Sequence, residues 1–112
     1  MNIVDDIKSR LTPLFQKHHI QKAILFGSFA RGEQSRRSDI DLILLQETNK
    51  RFLDRYDDIL LDLGCAIKGC AVWPLIYTPA EFQKMQERAF IRRACQEGIV
   101  LFEQETIQPE AA

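Results

Sequence analysis

The chain has 112 residues, 46% apolar and 28% charged, with fifteen Lys and Arg against sixteen Asp and Glu for a net charge of −1. That is one domain's worth of chain, too apolar for disorder and without the basic excess of a general nucleic-acid coat. No apolar run approaches the length of a membrane span, and Met1 to Arg10 carries Asp5 and Asp6 rather than an apolar leader core, so neither a membrane segment nor a signal peptide is expected.

Ile3, Val4, Ile7, Leu11, Leu14 and Phe15 recur at helical spacing, which predicts an amphipathic helix over 3–18, kinked or broken at Pro13. Ala23 to Phe26 is a short apolar run ending at Gly27, a buried strand followed by a tight turn. Ile40 to Leu45 is a second strand, apolar on both faces, which suits a sheet covered on both sides. Phe52, Tyr56, Ile59, Leu60 and Leu63 predict a helix over about 50–63, ending near Gly64.

Residues 70–77 read as a third strand, and Pro74 places it at an edge or a bulge. Thr78-Pro79-Ala80-Glu81 is a capping box with Pro at the first helical position. Helix then runs to about Gln96 in one or two pieces, Gly98 stops it, and Ile99 to Phe102 is a last strand. The class is α/β, a small mixed sheet with flanking helices. Residues 1–103 form the domain and 104–112, polar and with Pro109, a frayed tail.

Cys65, Cys70 and Cys95 are odd in number and show no C-x-x-C spacing, so reduced, partly buried thiols of a cytoplasmic protein are expected rather than zinc or a disulfide framework. His18 and His19 are adjacent and would diverge on a helix, which fits helix C-terminal charge better than a metal site.

The chemistry concentrates in Phe26-Gly27-Ser28-Phe29-Ala30-Arg31-Gly32, followed by Ser38-Asp39-Ile40-Asp41-Leu42. Gly27 lets backbone approach a ligand closely, and Ser28 offers a hydroxyl at a helix start, where free N–H groups favour phosphate. Asp39 and Asp41, two apart on a strand, face the same side with Cα atoms roughly 6.5 Å apart. Two carboxylates on an apolar strand are costly without a cation, and hard divalent ions, most plausibly Mg2+, would satisfy them. Two such ions roughly 4 Å apart can clamp the oxygens of a phosphoryl or nucleotidyl transfer. Each half alone has an ordinary reading: a Gly-Ser turn, or Asp41 paired with Arg36 or Arg37.

F-G-S-F-A-R-G, ten residues between Ser28 and Asp39, then D-I-D-L, resembles the signature of the DNA polymerase beta-type nucleotidyltransferase superfamily, in particular the minimal nucleotidyltransferases, the MNT proteins. The resemblance extends over the leading helix, both motif strands, the T-P-x-E-F helix start and the final E-G-I-V-L-F-E segment. It implies the polymerase beta-like palm fold. It implies that Gly27 and Ser28 hold the triphosphate of a nucleotide, usually ATP, and that Asp39 and Asp41 ligate Mg2+. Arg31 would support phosphate or the loop, and Ser38 would order Asp39 by hydrogen bonding. Arg36 and Arg37 fit solvated loop charge and phosphate steering equally.

One departure stands out. The resemblance implies a third carboxylate on a later strand, at the position held here by Trp73, and no carboxylate lies between Cys70 and Tyr77. Asp57, Asp58 and Asp62 read as a solvated helix face, and Trp73 as core or interface. Slow transfer, a group borrowed from a partner, and binding without catalysis all stay open.

Small MNT proteins of this kind are commonly antitoxins of HEPN-type ribonucleases, with a toxin tyrosine as AMP acceptor. The first expectation is therefore an Mg2+-dependent enzyme moving AMP from ATP to a partner's hydroxyl. The second is a module that masks a HEPN partner by contact, through Trp73, Tyr77, Phe82, Phe90 and the Arg88, Arg92, Arg93 group. An aminoglycoside-type transferase is a weaker third, since the chain lacks the extra domain that would build a drug site and would need a homodimer to replace it. A homo- or hetero-oligomer fits because 112 residues leave little material for a separate acceptor domain.

Overall fold

A computed structural model of the chain describes residues 3–35, 38–67 and 69–104. In chain order it contains helix α1 (Ile3–Lys17), strand β1 (Lys22–Phe26), helix α2 (Ser28–Arg31), strand β2 (Ile40–Leu45), a 3-10 helix (Phe52–Tyr56), helix α3 (Leu60–Ala66), strand β3 (Val72–Tyr77), helices α4 (Pro79–Lys84) and α5 (Ala89–Glu97), and strand β4 (Ile99–Glu103). The four strands form one sheet in the order β3-β2-β1-β4. Strand β1 is antiparallel to both neighbours, and β2 pairs with β3 in parallel.

The sheet is covered on both faces, as the apolar β2 pattern requires. On one face, Ile7, Leu11 and Phe15 of α1 and Leu63 of α3 pack over Ala23, Leu25, Leu42, Leu44 and Ile76. On the other, Phe82, Ile91 and Ala94 pack over Ile24, Ile43 and Leu45. Leu11 is completely buried, and its truncation to Ala would cost about 2–5 kcal/mol.

Helix α1 runs unbroken through Pro13. Pro13 and Ser9 are both exposed, so water can replace the donor that the Ser9 carbonyl loses. After α1, His19 takes a positive φ of 59°, and Ile20 donates its N–H back to the Phe15 carbonyl at 2.8 Å.

The helix expected over 50–63 is instead a 3-10 turn, a short break and α3, which passes through Gly64 to Ala66. Tertiary demand overrides the periodicity here. Arg55 turns inward and donates to the carbonyls of Lys50 and Ile76, at 3.1 Å in each case, which anchors this segment to β3. Gly64 keeps its place in the helix because Leu63 and Ile67 bury on either side of it.

Strand β3 is an edge strand, where Pro74 takes no ladder donor away from the sheet's interior. The capping box forms as read. Thr78 Oγ1 accepts from Glu81 N at 3.1 Å, and Glu81 Oε1 accepts from Thr78 N at 3.0 Å. The helical stretch after it is in two pieces, and Gly98 ends the second.

Gln104 is not frayed: its N–H donates to the Gln21 carbonyl at 2.8 Å, and the rest of the expected tail, 105–112, lies outside the described residues. Cys65 and Cys95 are exposed rather than partly buried, Cys70 is half-buried, and all three are free thiols.

Candidate active site

The C-terminal end of β1 and the N-terminal ends of β2 and β3 meet at one edge of the sheet. Phe26 is the register partner of Asp41, and Asp41 is the register partner of Trp73. Partners on adjacent strands project to the same face, so the phenyl ring, the carboxylate and the indole form a row across the sheet. Asp39 sits one residue before β2 rather than inside it, and is exposed.

Gly27 follows Phe26 with φ 77° and ψ −155°, a conformation that favours glycine. A Cβ there would lie 2.5 Å from Asp41 Oδ2. The backbone turn is thus in contact with the Asp41 carboxylate, and a side chain would fill the space between them. Ser28 opens the single-turn helix α2, and Phe29 anchors that turn in the core. Gly32, with φ 73°, closes it.

Among the described residues, neither Asp39 nor Asp41 has an ion-pair or hydrogen-bond partner. Burial and, next, the neighbouring Asp39 charge push the Asp41 carboxyl above its ordinary value, while Arg31 opposes them. The charge of Arg31 is thus felt at Asp41, whereas Arg36 and Arg37 lie outside the described residues. A half-buried carboxylate with a like charge beside it and no partner is a site in want of a cation.

No cluster of three or more His, Cys, Asp or Glu side chains occurs among the described residues. Two carboxylates still suit Mg2+, which binds through one or two of them and completes its shell with water and substrate phosphate. The donor set fits one hard cation held by Asp39 and Asp41.

Sequence reading missed Glu97, and with it the way Arg31, Phe90 and Arg93 gather beside this turn. Arg31 pairs with Glu33 at 2.9 Å and with Glu97 at 3.5 Å, and Glu97 also holds Arg93 at 3.1 Å. Phe90 packs edge-on against Phe26, with ring centroids 5.4 Å apart. Together Phe26, Gly27, Arg31, Phe90, Arg93 and Glu97 line a groove of about 300 Å3 beside the turn. Arg31 and Glu97 are 66 residues apart, and no local pattern announces the pair.

The Ser38 hydroxyl accepts from Ser35 N at 2.8 Å, which ties down the loop ahead of Asp39. Trp73 is 59% exposed and therefore is not core. Phe82 is core and so is not available as an interface anchor, whereas Tyr77 is half-buried against the Phe52 ring. Phe90, Arg88, Arg92 and Arg93 are exposed. Asp62 is not simply solvated, since it accepts from Lys17 at 3.0 Å and pairs with His18 Nε2 at 2.8 Å. Asp58 pairs with Lys50 at 3.1 Å.

A glycine turn against an unpartnered aspartate pair, on a sheet covered on both faces, is the framework of a nucleotidyl-transferring domain. The family described as polymerase beta, nucleotidyltransferase matches residues 9–107. A Methanocaldococcus jannaschii protein named as a candidate protein adenylyltransferase is 31% identical over 105 residues, covering 91% of this chain and 100% of that protein. A second protein of that name from the same organism is 43% identical over 54 residues, 48% of this chain and 57% of that one. The chain thus spans little more than half of one curated relative and the whole of the other.

Two solved structures share the fold. A toxin-antitoxin crystallised with AMP-PNP superposes with a TM-score of 0.64 at 22% identity, over 88% of this chain and 74% of that one. A toxin-antitoxin MntA-HpeT carrying two aspartate-to-glutamate mutations gives a TM-score of 0.63 at 19% identity, with the same coverage. The chain belongs to the polymerase beta nucleotidyltransferase family, and its mixed four-stranded sheet with flanking helices is the α/β fold of that family.

Proposed function

We propose that this protein transfers AMP from ATP to a hydroxyl group with Mg2+ bound, acting as the antitoxin of a toxin–antitoxin pair. In this reading the acceptor is a tyrosine of a HEPN-type toxin, and the working unit is a hetero-oligomer in the cytoplasm. The observation that carries it is the Asp41 carboxylate, unpartnered, raised by burial and by Asp39, and in contact with the Gly27 turn. The relatives named as adenylyltransferases and the toxin–antitoxin neighbours support the same direction.

Gly27 brings backbone close to the triphosphate, and Ser28 offers its hydroxyl and N–H to a phosphate oxygen. Asp39 and Asp41 hold Mg2+, which when bound supplies positive charge to the phosphates. Arg31 lends charge to the β1 side of the site, and Glu97 fixes its direction. Ser38 shapes the loop that delivers Asp39. An AMP group placed near a nuclease site adds bulk and negative charge that would obstruct RNA.

The test is incubation with α-labelled ATP, Mg2+ and the partner, followed by mass spectrometry of the partner. AMP on a tyrosine that disappears with Asp39→Asn and Asp41→Asn supports the reading. A second reading, a subunit that neutralises its partner by contact alone, has one observation in its favour: Trp73 stands beside Asp41 where a third carboxylate would complete the site. Neutralisation that survives the double Asp→Asn variant would select it.

A further inference from the structure

We propose that the groove beside Gly27 is the seat of the nucleobase, with Phe90 as its stacking surface and Glu97 as the reader of an exocyclic amino group. The inference rests on the nucleotidyl-transfer reading above and names where on the chain the base is recognised.

Gly27 belongs to two surfaces at once. A Cβ on it would lie 2.5 Å from Asp41 Oδ2, and the same residue lines the groove with Phe26, Arg31, Phe90, Arg93 and Glu97. A nucleotide whose phosphates sit at the carboxylates has its base one ribose away, so the groove lies within its span. A volume of about 300 Å3 is at the lower end of small-molecule sites, which suits a base rather than a whole nucleoside triphosphate.

The wall that α5 contributes is one face of that helix. Phe90, Arg93, Ala94 and Glu97 recur at the spacing that places side chains on one side. Ala94 is buried at the middle of this face, and its small side chain leaves the space open. Phe90 meets Phe26 edge-on yet stays 50% exposed, so part of its ring is free to stack.

The charges of the lining are matched rather than in excess. Arg31 is held by Glu33 at 2.9 Å and by Glu97 at 3.5 Å, and Arg93 by Glu97 at 3.1 Å. A carboxylate in the groove repels phosphate oxygens, so this surface suits the uncharged, aromatic part of the nucleotide. Glu97 also keeps bonding capacity. A carboxylate accepts about four hydrogen bonds, and the contact of Arg31 with Oε1 is long. Arg93 above all, and Arg31, hold the Glu97 carboxyl below its ordinary value, so it is ionised and accepts only. Its natural complement is an N–H donor on the edge of a base, such as the amino group of adenine.

The experiment titrates the full chain, with Mg2+, against ATP, purine riboside 5′-triphosphate (the same ring system without the amino group) and UTP by calorimetry. The wild type is expected to bind ATP about tenfold more tightly than either of the others. Glu97→Ala is expected to bring ATP down to the level of the purine riboside compound. Freeing Arg31 and Arg93 would act on all three alike, so the ratio isolates the amino contact. Phe90→Ala is expected to weaken both purines about tenfold and UTP about threefold or less, and Phe90→Trp to restore them. Circular dichroism checks the fold of each variant. Equal wild-type affinities, an ATP preference that survives Glu97→Ala, equal losses in Phe90→Ala, or a preference that collapses in Trp73→Ala instead would overturn the inference while leaving nucleotide binding intact. Absence of binding of all three by the wild type would overturn the nucleotidyl-transfer reading, and the inference with it.

Discussion

The two ends of the sheet treat charge in opposite ways. At the far end, where β3 runs into α4, Arg55 is almost fully buried and forks onto both oxygens of Glu81, at 2.7 and 2.9 Å. Nearby, Lys17 and His18 share Asp62, and Lys50 holds Asp58. Arg55, Lys17, His18, Asp62, Lys50 and Asp58 line a cavity of about 530 Å3, larger than the groove beside Gly27. At the motif end, the charge of Asp39 is felt at Asp41, and neither carboxylate has an ion-pair partner among the described residues. The larger cavity thus lies where the charges are already paired. Satisfied charges mark a place where the chain holds itself together, whereas unsatisfied ones mark a place waiting for a ligand.

This contrast can be broken most directly at Asp41. Asp41→Asn is expected to lower AMP transfer about a thousandfold, the loss of roughly 4 kcal/mol of transition-state stabilisation. It is also expected to raise the melting temperature, because it removes a half-buried charge that the fold does not neutralise. A loss of both activity and stability would mean that Asp41 is structural, and the contrast would fail.

Gly27→Ala comes next. Its Cβ would press on Asp41 Oδ2 and sit at a φ of 77°, so a stability loss of about 1–2 kcal/mol is expected, together with weaker nucleotide binding. Urea denaturation and a nucleotide titration check the two parts.

At the far end, Glu81→Gln is expected to cost about 1 kcal/mol by leaving the buried Arg55 guanidinium short of charge, a figure kept low because Glu81 itself is half-exposed. Transfer activity should not change, and an activity loss equal to that of Asp41→Asn would erase the distinction between the ends.

The acid limb of stability sharpens the comparison further. The Arg55 guanidinium and the Thr78 N–H hold Glu81 down to about 2, from an ordinary value of 4.5. Its contribution is fully present above 4.5 and is lost as pH falls through about 2. Asp41 is shifted the other way. The folded state takes up its proton more readily than the unfolded chain, so stability is gained as pH falls through its raised value. Melting temperature against pH should therefore flatten on the acid side in Glu81→Gln and steepen in Asp41→Asn. The smallest effect is expected at Asp62, where Lys17 is exposed and an Asn side chain can still accept from His18, so Asp62→Asn should shift melting only slightly.

Much of this was legible in the chain because the signals were local. Thr78, Pro79 and Glu81 write a helix start within four residues, and Pro74 keeps its strand at an edge. Gly27-Ser28 and Asp39-x-Asp41 declare a turn and a carboxylate pair by spacing alone, although Asp39 falls just ahead of the strand. The periodicity over 50–63 misled, because it could not register that Arg55 would be drawn inward.

Sequence by itself therefore determined the strands, the caps and the carboxylate pair, since hydrophobic period, proline and glycine act over a few residues. Tertiary structure alone decided which charges are neutralised. It brought Glu81 to Arg55, Glu97 to Arg31 and Trp73 to the side of Asp41. The physical reason is that ion pairing and strand register depend on approach in space, and those partners lie 26, 66 and 32 residues apart in the chain.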